Sequence, residues 1–154
     1  MNNLISNKGK IRAISVSKKK GTPKMNIDSA VLIENRGIEG DAHAGDWHRQ
    51  ISLLAIESID KMRQKDLIKL RPGIFAENLT TEFINLPKLP IGTQLLIGEN
   101  SLLEITQIGK ECHTRCAIFE TVGDCVMPRE GIFAKVIKGG IIKVNDDVRI
   151  LNKD

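Results

Sequence analysis

The sequence predicts a mostly β fold: a closed or partly open β-barrel with a few short peripheral helices. Short aliphatic runs are separated by glycine, proline and polar turn residues, and only one stretch has convincing helical spacing. With four Phe, one Trp and no Tyr in 154 residues, the core must be aliphatic, which suits strands. The length and the 41% hydrophobic content indicate one domain over residues 1–154, with its core at about 9–151.

The N-terminal half is predicted to hold three strands and the helix. In the first strand Ile14 disturbs the alternation set by Ile11 and Ala13, which indicates opposing or bulged faces. Ser58 is a good N-cap for the helix. In order, the predicted elements are a strand at 9–16, the basic loop Lys18–Lys24, strands at 28–34 and 50–56, and a helix over about 58–68 that ends before Pro72-Gly73.

The C-terminal half is predicted to consist mainly of hairpins. The turn residues Gly98-Glu99-Asn100-Ser101 join two apolar runs into one hairpin, and Lys138-Gly139-Gly140 joins two more into a second. The predicted elements are a strand or extended loop at 73–83, an irregular connection at 86–90, hairpin strands at 94–97 and 102–108, hairpin strands at 132–137 and 141–144, and a last strand at 148–151.

The net charge of +4 is concentrated near the N terminus. Of the 23 basic residues seven lie in residues 1–24, which have no Asp or Glu; this leaves 16 basic against 19 acidic residues elsewhere. The local excess around Lys18–Lys20 predicts either a solvated loop or a rim that attracts an anionic ligand. A nucleic-acid surface is not predicted, because base-stacking aromatic residues are scarce.

The sequence also predicts a location in the cytoplasm and no membrane partner. No apolar run is long enough to cross a bilayer, and the start lacks the apolar region of a signal peptide. Three cysteines is an odd number, so reduced thiols are expected rather than a disulfide framework.

Two polar clusters could carry chemistry. The loop Gly40–Arg49 gathers Asp, His and Arg side chains between glycines, which can bind an anion or a metal or shuttle protons. Its alternative is a surface loop whose His and Asp only cap turns. The pair Glu77-Asn78 lies in an apolar stretch, and its alternative is a strand end with Glu77 solvated.

A third cluster combines three cysteines within 14 residues with three cationic side chains: Cys112, Cys116 and Cys125, with His113, Arg115 and Arg129. A thiol beside positive charge has a lowered pKa and more thiolate, the form that attacks sulfur or binds metal. Buried, inert cysteines are one alternative. A zinc site is another, with ligands from Cys112, His113, Cys116 and Cys125.

Taken together, the clusters resemble the MOSC family, the domain named after the C-terminal part of molybdenum cofactor sulfurases. The resemblance covers about residues 9–151, with the motifs in the expected order. The residues that carry it are Gly37–Gly45, Arg49–Leu54, Ala76–Leu79, Leu89–Gly92, Thr106–His113, Arg115–Ile118 and Cys125–Ala134.

The resemblance implies a barrel-like β fold and a role as a sulfur carrier or as a binder of the molybdenum cofactor (molybdopterin). It points to Cys116 as the thiol that holds a persulfide or ligates molybdenum, with Cys125 as the runner-up. His43 would relay a proton, and Glu77 and Asn78 would contact the pterin or fix its pocket. The cofactor-binding residues it implies are Arg49, Glu77, Asn78, Arg115 and Arg129.

The resemblance also implies partners. The chain has no room for the pyridoxal-phosphate desulfurase domain of the large sulfurases, so sulfur would come from a cysteine desulfurase and pass to a molybdenum enzyme. Whether the chain is an enzyme or a carrier stays open. The alternatives are a non-catalytic module that stores or delivers the cofactor, and a zinc-stabilised β domain.

Overall fold

The computed structural model describes residues 8–20, 22–63, 71–109 and 130–151, with residues 61–63 described by their backbone alone. In order, these residues form strands β1 (Lys8–Val16), β2 (Met25–Ile27), β3 (Ser29–Ile33), β4 (Gly37–Ile38) and β5 (Ile51–Ala55), helix α1 (Ile56–Arg63), strand β6 (Leu79–Glu82), a 3-10 turn (Leu86–Lys88), and strands β7 (Gln94–Ile97), β8 (Ser101–Ile108), β9 (Ile132–Lys138), β10 (Gly140–Lys143) and β11 (Asp147–Leu151).

Seven of these strands close into a barrel. Their order is β1-β11-β7-β8-β9-β5-β6, and the pairing of β1 with both β6 and β11 completes the ring. Only the pair β5–β6 is parallel among these neighbours. Strand β2 extends the sheet beside β1, and β10, β3 and β4 form a small second sheet. The predicted mostly β, closed-barrel fold is confirmed.

The core of the barrel is aliphatic, as the composition predicts. Every buried member of the main hydrophobic cluster is Ile, Leu, Val or Ala. Phe75 and Phe133 are also buried, but they lie outside this cluster. The strand predicted at 9–16 is β1, and its pairing with β6 shifts register between Ile11 and Ala13. This irregularity explains the disturbed alternation at Ile14.

One of the two predicted hairpins is confirmed and the other is wrong. Strands β7 and β8 pair directly, and Gly98 takes the left-handed conformation (φ 65°) that their turn needs. Strand β10 instead pairs with β3, with Ile141 opposite Val31. Gly139, the residue before β10, serves a crossing between sheets, because a Cβ on it would come within 2.4 Å of the Leu32 carbonyl oxygen.

The helix begins earlier than predicted. Because α1 starts at Ile56, Ser58 lies inside its first turn and is not the N-cap. The Ser58 hydroxyl instead donates to the Glu130 carboxylate, across the barrel end. The predicted end of the helix near residue 68 lies outside the described residues. Within the described ranges, no helix is long and apolar enough to cross a membrane.

Candidate functional site

The outer face of β5 is covered by protein. Ser52 lies between core residues of this strand, so its side chain alternates to the outer face, yet it is only 1% exposed. Its hydroxyl donates to the Ala76 carbonyl (3.1 Å), which places the segment 71–78 over this face. Glu77 and Asn78, two of the sequence-predicted site residues, belong to the covering segment.

Asn78 connects three strands at the start of β6. Its Oδ1 accepts the Ser52 N–H (2.9 Å), and its Nδ2 donates to the Ser15 carbonyl (3.1 Å). The Ser15 N–H in turn donates to the Asn78 carbonyl (2.7 Å). Asn78 is fully buried, so its amide fixes neighbouring backbone in place.

Glu77 is also fully buried, and the alternative of a solvated strand end is wrong. Its carboxylate accepts the backbone N–H of Gly73 (2.7 Å) and Phe75 (3.2 Å) and the Thr80 hydroxyl (2.9 Å). Burial raises the pKa of Glu77, while these donors oppose the rise. Glu77 therefore holds the covering segment together from within.

Lys24 differs from the other lysines of the basic loop 18–24 in its burial. Its side chain is completely buried, as is that of Asp41, and its Nζ donates to Asp41 Oδ1 over 2.8 Å. It also donates to the Ser17 hydroxyl (3.0 Å), while the Ser17 N–H donates to Asp41 Oδ1 (3.0 Å). The alternative of a solvated loop around Lys18–Lys20 therefore does not extend to Lys24, the last residue of the predicted basic loop.

Burial and the contacts between Lys24 and Asp41 act in opposite directions on the pKa of each group. Burial lowers the pKa of Lys24, although its hydrogen bond and attraction to Asp41 oppose this. Burial also disfavours the charged form of Asp41, but hydrogen bonds from His43 and Lys24 and the Lys24 charge outweigh it. They hold the pKa of Asp41 well below its usual range. Asp41 is therefore a carboxylate at neutral pH.

His43 lies directly beside this carboxylate. Its backbone N–H donates to Asp41 Oδ2 (3.0 Å), and its ring Nδ1 is 3.6 Å from the same oxygen. The Trp47 ring is nearly parallel to the imidazole, at 6.4 Å between centroids, and the Trp47 indole N–H donates to the His43 carbonyl (2.7 Å). Lys20 Nζ lies 4.2 Å from the centre of the indole.

Arg49 lies at the other end of the same loop, between two aromatic rings. Its guanidinium carbon is 5.7 Å from the centre of Trp47 and 5.5 Å from that of Phe133. Its Nε donates to Gln107 Oε1 (3.2 Å), and Gln107 Nε2 donates to the Gly109 carbonyl (2.8 Å). The loop 40–49 thus brings His43 and Arg49 next to one tryptophan.

The segment that carries the cysteines begins and ends beside this region. The Gly109 N–H donates to the Gly131 carbonyl (2.6 Å), so the chain leaves and re-enters the barrel at neighbouring positions. The remaining predicted site residues lie outside the described residues: Cys112, His113, Arg115, Cys116, Cys125 and Arg129. Within the described part of the chain, no three His, Cys, Asp or Glu side chains form a group that could hold a metal ion.

Comparison with known families decides the assignment. The sequence profile of the MOSC domain matches residues 40–149. The chain belongs to the MOSC domain family. This match begins at the loop that carries Asp41, His43 and Arg49 and includes the whole cysteine segment. It supports the resemblance drawn from the sequence motifs.

Solved structures share the MOSC-domain fold seen here. The YUAD protein from Bacillus subtilis superposes with a TM-score of 0.80 at 16% identity, covering 96% of this chain and 97% of its own. YiiM from Geobacillus stearothermophilus gives 0.72 at 16% identity, with 94% and 75% covered. YiiM from Escherichia coli gives 0.66 at 17% identity, with 94% and 71% covered. No curated protein sequence matches this MOSC domain.

Sequence reasoning missed Lys24 as a member of the site and missed the role of Asp41. Lys24 follows a run of exposed lysines, and nothing in the sequence separates it from them. Asp41 is part of the recognised loop, but its role depends on a lysine seventeen positions earlier in the chain. The cation above Trp47, Lys20, also comes from that basic run.

Proposed function

We propose that this MOSC domain binds the molybdenum cofactor, carries sulfur as a persulfide on Cys116 for delivery to a molybdenum enzyme, or does both. The observation that carries the proposal is the contact chain from Arg49 through Gln107 to Gly109. It puts a guanidinium next to the point where the chain enters the segment with Cys116, within a domain of the MOSC family.

The described residues suit an anionic, planar ligand. Arg49 and Lys20 supply positive charge on one indole, and a guanidinium can donate two parallel hydrogen bonds to a phosphate. Arg115 and Arg129 would add further cations from the cysteine segment. When bound, the cofactor would supply the molybdenum centre, for which the Cys116 thiolate is the proposed ligand.

The two buried polar residues have a supporting role in this proposal. Glu77 and Asn78 direct their polar atoms to backbone groups and to Thr80, so they fix the wall of the site. His43 is the group proposed to relay a proton, because its imidazole lies nearly parallel to the Trp47 ring and next to a carboxylate.

Sulfur loading would be a thiol–persulfide exchange. The Cys116 thiolate attacks the outer sulfur of a persulfide on the donor cysteine desulfurase. The donor S–S bond breaks, the donor cysteine leaves as a thiolate, and a new S–S bond forms at Cys116. The proximity of Arg115 favours the thiolate form that this step requires.

Loading of the full chain tests the proposal. Protein incubated with a cysteine desulfurase and cysteine should gain one sulfur on Cys116, as measured by intact and peptide mass spectrometry. Cys116→Ser should abolish the gain, whereas Cys112→Ser and Cys125→Ser should retain it. A gain that moves to Cys125 would reassign the site, and no gain in any variant would reject the persulfide role.

Cofactor binding needs a separate measurement. Arg49→Ala should weaken binding of purified molybdenum cofactor by about 1.5–3 kcal/mol, since a charge-assisted hydrogen bond would be lost. Arg36→Ala is the matched control, because Arg36 is an exposed arginine shortly before the loop 40–49. Equal affinities for both variants and the parent protein at low salt would remove Arg49 from the site.

Two other functions remain in competition. A module that only stores or delivers the cofactor would bind it stoichiometrically and show no sulfur turnover with a donor. A zinc-stabilised domain would contain about one zinc per chain when purified without added metal, and would lose stability with a chelator. Zinc would need Cys116, the residue proposed for sulfur transfer, together with Cys112, His113 and Cys125.

A further inference from the structure

We infer that Asp41, held in place by Lys24, fixes the His43 imidazole as the tautomer with its proton on Nδ1. The proton-accepting lone pair of the neutral ring is then on Nε2. Asp41 and Lys24 are positioning residues in this arrangement, because they act through His43. The inference deepens the proposed function, in which His43 is the proton relay.

The first part of the argument is the carboxylate. An ionised carboxylate can only accept hydrogen bonds, so the ring nitrogen nearest to it is stabilised when it carries the hydrogen. Nδ1 lies 3.6 Å from Asp41 Oδ2, within ion-pair distance and longer than a direct hydrogen bond. The backbone N–H of His43 already holds the same oxygen at 3.0 Å, which restricts the geometry further.

The second part of the argument concerns the groups that hold the Asp41 carboxylate in place. The other oxygen, Asp41 Oδ1, receives the Lys24 ammonium at 2.8 Å and the Ser17 N–H at 3.0 Å. Both charged side chains have no exposed surface, so water does not compete for these bonds. Lys24 therefore presents the second oxygen of Asp41 toward the imidazole.

The third part is a contrast within the same loop. His48 Nε2 is 2.9 Å from Gln107 Oε1. The orientation of that amide is set by its neighbours, since Gln107 Nε2 donates to the Gly109 carbonyl and Oε1 accepts from Arg49. His48 must donate from Nε2, so the two histidines of the loop carry their protons on opposite nitrogens.

Nitrogen NMR of the full-length protein tests the inference directly. Two-bond ¹H–¹⁵N correlation spectra at about pH 8, where an ordinary imidazole is neutral, distinguish the two tautomers. Signals are assigned with His43→Gln and His48→Gln. We expect the Nδ1–H pattern for His43 and the Nε2–H pattern for His48. An Nε2–H pattern for His43 in the parent protein overturns the inference without any variant.

A paired variant tests the role of the ion pair. Lys24→Met/Asp41→Asn removes both buried charges together, and His43 should then change to the Nε2–H pattern. The control is Arg12→Met/Glu82→Gln, which removes an exposed ion pair and should leave both histidines unchanged. An unchanged His43 pattern in the folded paired variant overturns the role of Asp41; if that variant does not fold, the parent spectrum decides.

These spectra are recorded without cofactor, so their outcome is separate from that of the proposed function. An Nε2–H pattern at His43 with intact cofactor binding overturns the tautomer inference alone. An Nδ1–H pattern without cofactor binding or sulfur loading supports the tautomer and rejects the proposed function.

Discussion

The two sides of the barrel use the outer faces of their strands differently. On β7, the buried residues Leu95 and Ile97 alternate with the partly exposed Gln94 and Leu96, so this side has one face in the core and one toward solvent. On β5 every residue is buried, because the segment 71–78 and its neighbours cover the outer face. We call these the open side and the covered side.

The difference determines what a polar side chain can do on each side. On the open side water can satisfy an unpaired donor or acceptor, so individual polar contacts stabilise the fold little. On the covered side each buried polar group needs a protein partner, and losing that partner leaves a desolvated group behind. Of the proposed site residues, Glu77 and Asn78 lie on the covered side, where their hydrogen bonds enforce their positions.

The largest expected effect is from Lys24→Met. The substitution leaves Asp41 as a buried carboxylate without its main counter-charge, which should cost about 3–5 kcal/mol of unfolding free energy. The matched control is Lys8→Met, which breaks an ion pair with Asp147 at 3.4 Å that is largely exposed. That variant should change stability by about 0–1 kcal/mol. Urea unfolding followed by circular dichroism measures both.

Similar losses of unfolding free energy in Lys24→Met and Lys8→Met would contradict the distinction between buried and exposed ion pairs, because they would mean that solvent reaches Lys24. The double variant Lys24→Met/Asp41→Asn should recover much of the lost stability, since it removes both charges and leaves neither uncompensated. Continued loss in the double variant would assign the effect to packing of the lysine stem.

The next effect concerns a neutral side chain on each side. Asn78→Ala would leave the Ser52 N–H and the Ser15 carbonyl without their side-chain partner, and should cost about 2–4 kcal/mol. On the open side, Gln94 donates to Glu104 over 3.4 Å, and Gln94→Ala should cost less than about 0.5 kcal/mol. Chemical unfolding gives both values, and a smaller loss at Asn78 than at Gln94 would contradict the distinction.

Sequence reasoning succeeded where one local pattern determines the structure. The β7–β8 hairpin follows from its turn residues, and the aliphatic barrel core follows from composition. The second predicted hairpin is wrong because Gly139 allows the backbone to pass close to β3, with which β10 pairs. In the sequence, a glycine required by a turn looks the same as a glycine required by such a close backbone contact.

The site was only partly predictable for a related reason. The loop with His43 and Arg49 is visible in the sequence, since unlike polar residues are concentrated between glycines. The partner of Asp41 is not visible, because Lys24 is distant in the chain and follows exposed lysines. The alternative in which Glu77 is solvated is wrong. The segment before β6 supplies hydrogen-bond donors to the Glu77 carboxylate from within a few residues, namely the N–H groups of Gly73 and Phe75.

The two buried carboxyls should give opposite pH dependences. Asp41 has a folded-state pKa below 3.8, so its contribution to stability is present above about pH 4 and is lost as the pH falls. Burial raises the pKa of Glu77 above 4.5, so the folded protein keeps a proton that the unfolded chain releases. Its contribution to stability therefore declines as the pH rises from about 4.5 toward the raised pKa.

Variants separate these two contributions. Lys24→Met/Asp41→Asn should flatten the stability profile below about pH 4, and Glu77→Gln should flatten the decline above about pH 4.5. A single group changes stability by at most about 1.4 kcal/mol per pH unit. Urea unfolding across the pH range measures the slopes. Parallel profiles for Glu77→Gln and the parent protein would show that Glu77 titrates alike in both states.

The smallest effect expected of an ion pair is that of Arg12–Glu82, which tests whether burial decides the cost. The pair joins β1 to β6, the strand beside β5, but Arg12 is 54% exposed and each hydrogen bond to the carboxylate is 3.3 Å long. Exposed pairs of this kind contribute about 0–1 kcal/mol, less at high salt. Arg12→Met should therefore resemble Lys8→Met and not Lys24→Met in urea unfolding, and added salt should reduce its effect. A loss as large as that of Lys24→Met would mean that burial does not decide the cost. The expected small, salt-sensitive loss assigns the cost to burial, because both pairs lie near β1, Lys24 through its contact with Ser17, and they differ in their access to water.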